Sequence, residues 1–109
     1  MINSGGYKVQ IEEVENKISA VLYQAIPQSE EFFITGLPDS NYGEKVTLVV
    51  KSESALDESE TTNLIRLLKQ QLHPYKVPKQ VFSLREFRYT HTGKIDRDST
   101  MAMLATTNQ

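Results

Sequence analysis

The sequence predicts an α+β domain: a small, mainly antiparallel sheet of about three strands flanked by helices, with a β-hairpin at the N-terminus. Three observations carry that prediction. Strand-like and helix-like runs follow one another in the order hairpin, helix, two strands, helix, strand, helix. Glycine, proline and asparagine fall between those runs and punctuate them. A length of 109 residues suits one domain, spanning 1–109, with a modest core.

Each element has its own signal. Ile2-Asn3 and Tyr7-Lys8-Val9 flank Ser4-Gly5-Gly6, which predicts a tight hairpin. Two adjacent glycines permit positive φ, and they also leave a surface without side chains against which a narrow ligand can lie. Gln10 to Leu22 is predicted as the first helix, because Ile11, Val14, Ile18 and Val21 share one stripe. Its glutamates, Glu12, Glu13 and Glu15, are read as a solvated face, and Pro27 closes the region. Glu31 to Leu37 and the β-branched run Lys45 to Lys51 are expected to pair antiparallel in the centre of the sheet, across a turn at Pro38-Asp39-Ser40-Asn41 and Gly43. Asp57 caps the second helix, with Glu60 three residues on completing a box, and Leu64, Ile65, Leu68 and Leu72 form its buried stripe. His73-Pro74 ends that helix. Tyr75-Lys76-Val77-Pro78 leads into a third strand, Gln80 to Leu84, and a short helix from about Arg97 to Ala105 carries Met101 and Leu104. Thr106 to Gln109 is expected to fray.

Composition narrows the function classes. There is no cysteine, so disulfides and thiolate zinc sites are excluded. The two histidines, His73 and His91, have no carboxylate cluster beside them and read as surface residues. No apolar stretch approaches membrane-spanning length and no signal-peptide core is present, so a cytoplasmic setting is expected. The net charge of −2 divides unevenly: residues 1–63 carry four Lys/Arg against eleven Asp/Glu, residues 64–109 eight against three. The basic half suits an anionic ligand, and equally suits attraction to the acidic half. Nucleic-acid binding is disfavoured, because basic and aromatic residues form no dense interleaved patch.

The run Thr90-His91-Thr92-Gly93-Lys94-Ile95-Asp96-Arg97 is the strongest candidate site. Glycine allows close backbone approach, and lysine meets a phosphate as a mobile point charge. As a tripeptide, Thr-Gly-Lys equally describes a turn with a solvated lysine. It is not a P-loop, which needs glycine where Arg88 stands and Ser or Thr where Ile95 stands.

Taken together these segments resemble the C-terminal domain of the adenylate-forming superfamily of acyl-CoA synthetases, peptide-synthetase adenylation domains and luciferases. Ser4-Gly5-Gly6-Tyr7-Lys8-Val9 with Glu12-Glu13-Val14-Glu15 looks like the family's opening hairpin and helix. Gly36-Leu37-Pro38-Asp39 and Tyr42-Gly43-Glu44-Lys45-Val46 resemble its strand–turn–strand signature, and Tyr75-Lys76-Val77-Pro78 and Thr90 to Arg97 its last two. The resemblance implies that Lys94 is the lysine of the first half-reaction, in which a carboxylate attacks the α-phosphorus of ATP to give an acyl-adenylate, with Thr90, Thr92, Gly93 and Arg97 supporting the loop. It implies that Gly5, Gly6 and Tyr7 belong to a hairpin that helps form the pantetheine tunnel for CoA in the second half-reaction. It further implies a hinge motion, a large N-terminal adenylation domain as partner, a small carboxylic acid as substrate, and Mg2+ held mainly by that partner domain. The chain is expected to begin at the family's domain boundary and to form no acyl-CoA alone. Asn3-Ser4-Gly5-Gly6 resembles the o-succinylbenzoate–CoA ligases and their medium-chain relatives. One departure stands out: where many relatives carry Pro-Arg, this chain has Arg88-Tyr89, which bears on the loop's rigidity. That departure also supports the alternative of a stand-alone binding module that kept the fold without the chemistry.

Overall fold

The computed structural model describes residues 1–41 and 43–107. Tyr42 of the strand–turn–strand signature, and Asn108 and Gln109 of the expected frayed tail, lie outside the described residues. In chain order the elements are β1 (Ile2–Ser4), β2 (Tyr7–Val9), α1 (Ile11–Ala25), β3 (Glu31–Asp39), β4 (Gly43–Lys51), α2 (Glu58–Gln71), a 3₁₀ turn (Pro74–Lys76), β5 (Gln80–Leu84) and α3 (Arg97–Thr107).

The α+β class is as expected, but the sheet has five strands instead of about three. The N-terminal hairpin is part of it. Strands of three residues bury too little to stand alone, and β1 joins β4 through the pair Ser4↔Gly43. β4 is the organising strand: β3 runs antiparallel along all of one edge, while β1 and β5 divide the other. The expected central pair is therefore half right, since β3 pairs only with β4 among the described strands. β5 is parallel to β4, from Thr47↔Gln80 to Lys51↔Leu84. The crossover through α2 and the 3₁₀ turn brings the chain back to start at the same end of the sheet, which a short hairpin connection cannot do.

β3 and β4 also run farther into their turn than the sequence suggests, with Pro38↔Glu44 and Asp39↔Gly43 still in register. Proline is tolerated there because β3 is an edge. The N–H of Ile34, four residues earlier on the same side of the strand, points outward to the Glu15 carboxylate at 2.9 Å, so Pro38 lacks only an outward donor.

Side-chain alternation along β4 divides the interior. Val46, Leu48 and Val50 face α1 and α2 and pack in one core with Ile18, Leu22 and Leu68. Val49 faces the other way and joins Phe33 and Phe87 in a smaller core, with Leu84, Ile95 and Met101 against it. Each fully buried aliphatic side chain contributes roughly 2 kcal/mol of transfer free energy, so the larger core dominates stability. α1 extends to Ala25 instead of Leu22, because Ile26 is fully buried and its N–H still reaches Leu22 O at 2.7 Å. Pro27 follows, outside the helix.

α2 begins as predicted. Asp57 Oδ1 accepts the Glu60 N–H at 2.7 Å and Glu60 Oε1 accepts the Asp57 N–H at 3.3 Å. The backbone N–H of Glu60, then the Ser59 hydroxyl, hold the Asp57 carboxyl below the usual carboxylate range. α3 starts at a cap the sequence reading did not identify, where Asp96 Oδ1 accepts the Ser99 N–H at 3.0 Å. It also runs to Thr107, past the expected end at Ala105.

Candidate functional site

The lysine loop is a short, tied turn. Phe87 is buried edge-on against Phe33, ring centroids 5.2 Å apart, and fixes where the loop leaves the sheet. Tyr89 and Ile95 then form an isolated antiparallel bridge, and Thr90 N–H donates to Lys94 O at 2.7 Å. Gly93 closes the turn with φ +89°, in the left-handed region that favours glycine, and its N–H donates to Thr90 O at 2.9 Å. The hydroxyls of Thr90 and Thr92 lie 2.9 Å apart, and Thr90 Oγ1 accepts the Lys94 N–H at 3.3 Å. Both threonines and the glycine thus shape the backbone, and Lys94 is left exposed at the end of that shape.

Arg97 is turned elsewhere. Its Nη2 meets Glu15 Oε2 at 3.2 Å, tying the start of α3 to α1. Glu15 is therefore not part of a solvated face, since the same carboxylate receives Ile34 N–H and Arg97. The glutamate stripe was misread there because nothing in α1 alone reveals an edge strand beside it.

The Arg88-Tyr89 departure stiffens the loop by another route. The Tyr89 hydroxyl donates to Glu31 at the start of β3, and Lys51 Nζ at the end of β4 donates to that hydroxyl at 3.1 Å. Lys51 lies 3.6 Å from Glu31 as well, and its pKa is raised, chiefly by the hydrogen bond with Tyr89. Arg88 contributes through its backbone. Its N–H donates to the fully buried Thr100 Oγ1 at 3.0 Å, and its carbonyl accepts the Asp96 N–H at 2.8 Å. No sequence signal marks Thr100 or the Tyr89 contact.

The glycine hairpin is built on different terms. Gly5 and Gly6 have φ of +59° and +83°, the two-residue turn that matches strand twist. Both are exposed, and a Cβ placed on Gly6 would meet nothing within 4 Å. Ile2 and Val9 anchor the strands in the larger core. Tyr7 is 56% exposed and stacks on Tyr75 with centroids 4.3 Å apart and planes 14° from parallel. Tyr75 is thus a shelf for the hairpin, and Lys76 next to it is engaged by Glu13, whose hydrogen bond raises the Lys76 pKa.

The two candidate groups are not brought together. The hairpin joins β4 at Gly43, whereas the lysine loop is tied to β4 at Lys51, at opposite ends of a nine-residue strand. Eight steps along a strand span roughly 26 Å, close to the domain's own dimensions of 32 × 30 × 27 Å. An open groove of about 610 Å³ between α2 and β5 is lined by Ile65, Leu72, Val77 and Val81 and by none of the predicted site residues. Among the described residues, no group of three His, Asp or Glu side chains is placed to hold a metal, and no helix is long and apolar enough to cross a membrane.

No protein-family model matches the chain. It is similar to a probable CoA ligase of Humulus lupulus, 36% identical over 99 residues, and to a 3-oxocholest-4-en-26-oate–CoA ligase of Rhodococcus rhodochrous, 35% identical over 98 residues. The matches cover 89% and 87% of this chain but only 17% and 16% of those proteins, so the chain spans about a sixth of the length of the curated relatives it matches. Among solved structures it is similar to an AMP-forming acyl-CoA synthetase/AMP-acid ligase II-like protein from Dyadobacter fermentans. That match has a TM-score of 0.81 and 30% identity, over 94% of this chain and 28% of that one.

Proposed function

Because the chain belongs to the adenylate-forming superfamily, as a C-terminal domain of the AMP-forming acyl-CoA synthetase kind, we propose that it is the mobile lid of a carboxylate–CoA ligase that uses ATP. In this reading Lys94 enters the partner domain's site during adenylation. Negative charge grows on the transferring α-phosphoryl group as the carboxylate attacks, and a preorganised cation stabilises that charge more than the ground state. The tied turn of Thr90, Thr92 and Gly93 supplies the preorganisation, with Arg97 holding the loop's exit against α1.

For the second step the domain turns about a hinge, withdraws Lys94 and presents Gly5, Gly6 and Tyr7 to the pantetheine arm of CoA. A turn lacking side chains suits a narrow passage. The observation that carries the proposal is the separation of two exposed loops at opposite ends of β4. One body with two working ends fits two steps that need different groups at one reaction centre. Among the described residues no carboxylate cluster is placed to hold magnesium, and the proposal assigns that ion to the partner domain.

The partner is the large N-terminal adenylation domain, which supplies most of the ATP site and the pocket for a small carboxylic acid. The domain alone is proposed to be inactive, and the setting cytoplasmic. An o-succinylbenzoate-like acid is proposed from the resemblance of Asn3-Ser4-Gly5-Gly6 and the short, simple chain to that group of ligases.

The test joins this domain to an adenylation domain and separates the half-reactions. Lys94→Ala should lower ATP–pyrophosphate exchange about 10²- to 10³-fold while thioester formation from supplied adenylate persists. Exchange within a factor of two of the parent removes the catalytic role. Gly6→Leu should do the reverse, and equal loss of both activities would rule out the tunnel.

A further inference from the structure

We infer that Glu44 is a positioning residue that aims the glycine hairpin, and that Gly36 exists to seat it; the functional consequence rests on the proposed role of the hairpin in thioester formation. Among the described residues, β1 is held to β4 by the register pair Ser4↔Gly43. Beyond that pair the next support is a side chain. Glu44 Oε1 accepts the Asn3 N–H at 2.9 Å, so a carboxylate from β4 substitutes for a further rung of the ladder. A charge-assisted bond of this kind is about twice as strong as its neutral counterpart.

The seat is made on the neighbouring strand. A Cβ on Gly36 would lie 2.8 Å from Glu44 Oε2 and 3.1 Å from Ile2 Cγ2. A side chain at position 36 therefore displaces the Glu44 carboxylate from its seat and asks Ile2 to give by a few tenths of an ångström. Gly36 has no positive φ to explain it, so its role is the close approach itself. Gly43, with φ +81°, turns β4 past Asn3 O, where a Cβ would stand 3.7 Å away. The geometry ties Gly36, Gly43 and Glu44 to one task, which is the direction in which Gly5 and Gly6 point. With the Ser4–Gly43 rung and the Glu44 carboxylate as its ties to β4 among the described residues, the hairpin swivels if the carboxylate is lost, while Ile2 and Val9 stay in the core.

The test uses the chain in solution, followed by ¹⁵N NMR. Glu44→Ala should speed Asn3 amide exchange about tenfold or more and lower the order of Gly5 and Gly6, with the amides of Leu48 and Val50 unchanged. Glu44→Gln keeps an acceptor oxygen and should retain most of the Asn3 protection. Gly36→Ala should reproduce Glu44→Ala with the carboxylate still present. Unchanged Asn3 exchange and unchanged glycine relaxation in Glu44→Ala overturn the inference. In an enzyme carrying this domain, Glu44→Ala should reduce the rate of thioester formation from supplied adenylate several-fold, with Glu44→Gln restoring it. A loosened hairpin with an unaltered thioester step would leave the brace standing and remove the tunnel role instead.

Discussion

The lysine loop and the glycine hairpin are both exposed turns closed by glycines in the left-handed region, yet they are secured in opposite ways. The lysine loop is tied at several points, by the Tyr89–Ile95 bridge, by Thr100 under Arg88 and by the Tyr89 phenol between Glu31 and Lys51, and it sits on its own small core. Among the described residues, the hairpin has one backbone rung to β4, one carboxylate and one aromatic stack. The difference matches what the proposed function asks of each. A cation that stabilises charge loses its effect if it is misplaced by an ångström, so its backbone must be fixed before reaction. A turn that lines a passage needs only the right direction and the absence of side chains.

The largest way to break this contrast is Phe87→Ala. Truncating that buried ring should cost about 3–5 kcal/mol, measured by chemical denaturation, and loosen the lysine loop before the hairpin. Equal loosening of both turns in amide exchange would mean that they are not separately supported. Next comes Tyr7→Ala, which removes a stack worth about 0.5–1.5 kcal/mol and should release the hairpin without altering the exchange of Thr90 or Lys94 amides.

Tyr89→Phe sharpens the contrast further. Loss of both polar links should slow adenylation by about tenfold at most, a limit set by the solvent exposure of the site. It has a pH signature. The folded Lys51 pKa is raised above 10.5, so the link is fully formed below that value and is lost only as pH climbs through the higher folded value. A ¹³C titration of Lys51 Cε should show a midpoint above 10.5 that returns toward it in Tyr89→Phe, and an unshifted midpoint would contradict the anchoring. The smallest effect is expected at Ser4, whose hydroxyl is buried without a hydrogen-bond partner among the described residues. Ser4→Ala should leave the melting temperature unchanged or raise it slightly, and a clear loss would reveal an unrecognised role for that oxygen.

Much of the fold was legible because its signals are local. The Asp57-Glu60 box, the 3.6-residue stripes of α1 and α2 and the Gly5-Gly6 turn each need only a few neighbouring residues to be recognised. The exposure of Lys94 and of both hairpin glycines followed in the same way. What the sequence hid is long-range. The parallel placement of β5, the edge position of β3 and the Glu15–Arg97 pair depend on which segments meet after folding. Gly36 lies between these cases: an isolated glycine in a strand signals a close approach, but not that Glu44 is what approaches. Tyr89 carried no signal, since a tyrosine in a polar loop looks the same whether or not its hydroxyl is engaged.

The carboxylate of Glu15 on the outward N–H of Ile34 has a consequence for self-association. β3 is an edge, and an unpaired row of N–H and C=O groups is a template on which a second chain can polymerise. Glu15 occupies one donor in the middle of that row, and Pro38 lacks another. Strand-by-strand growth from that side is thereby blocked twice within five residues, which guards the edge against fibrillar pairing with further copies of the chain.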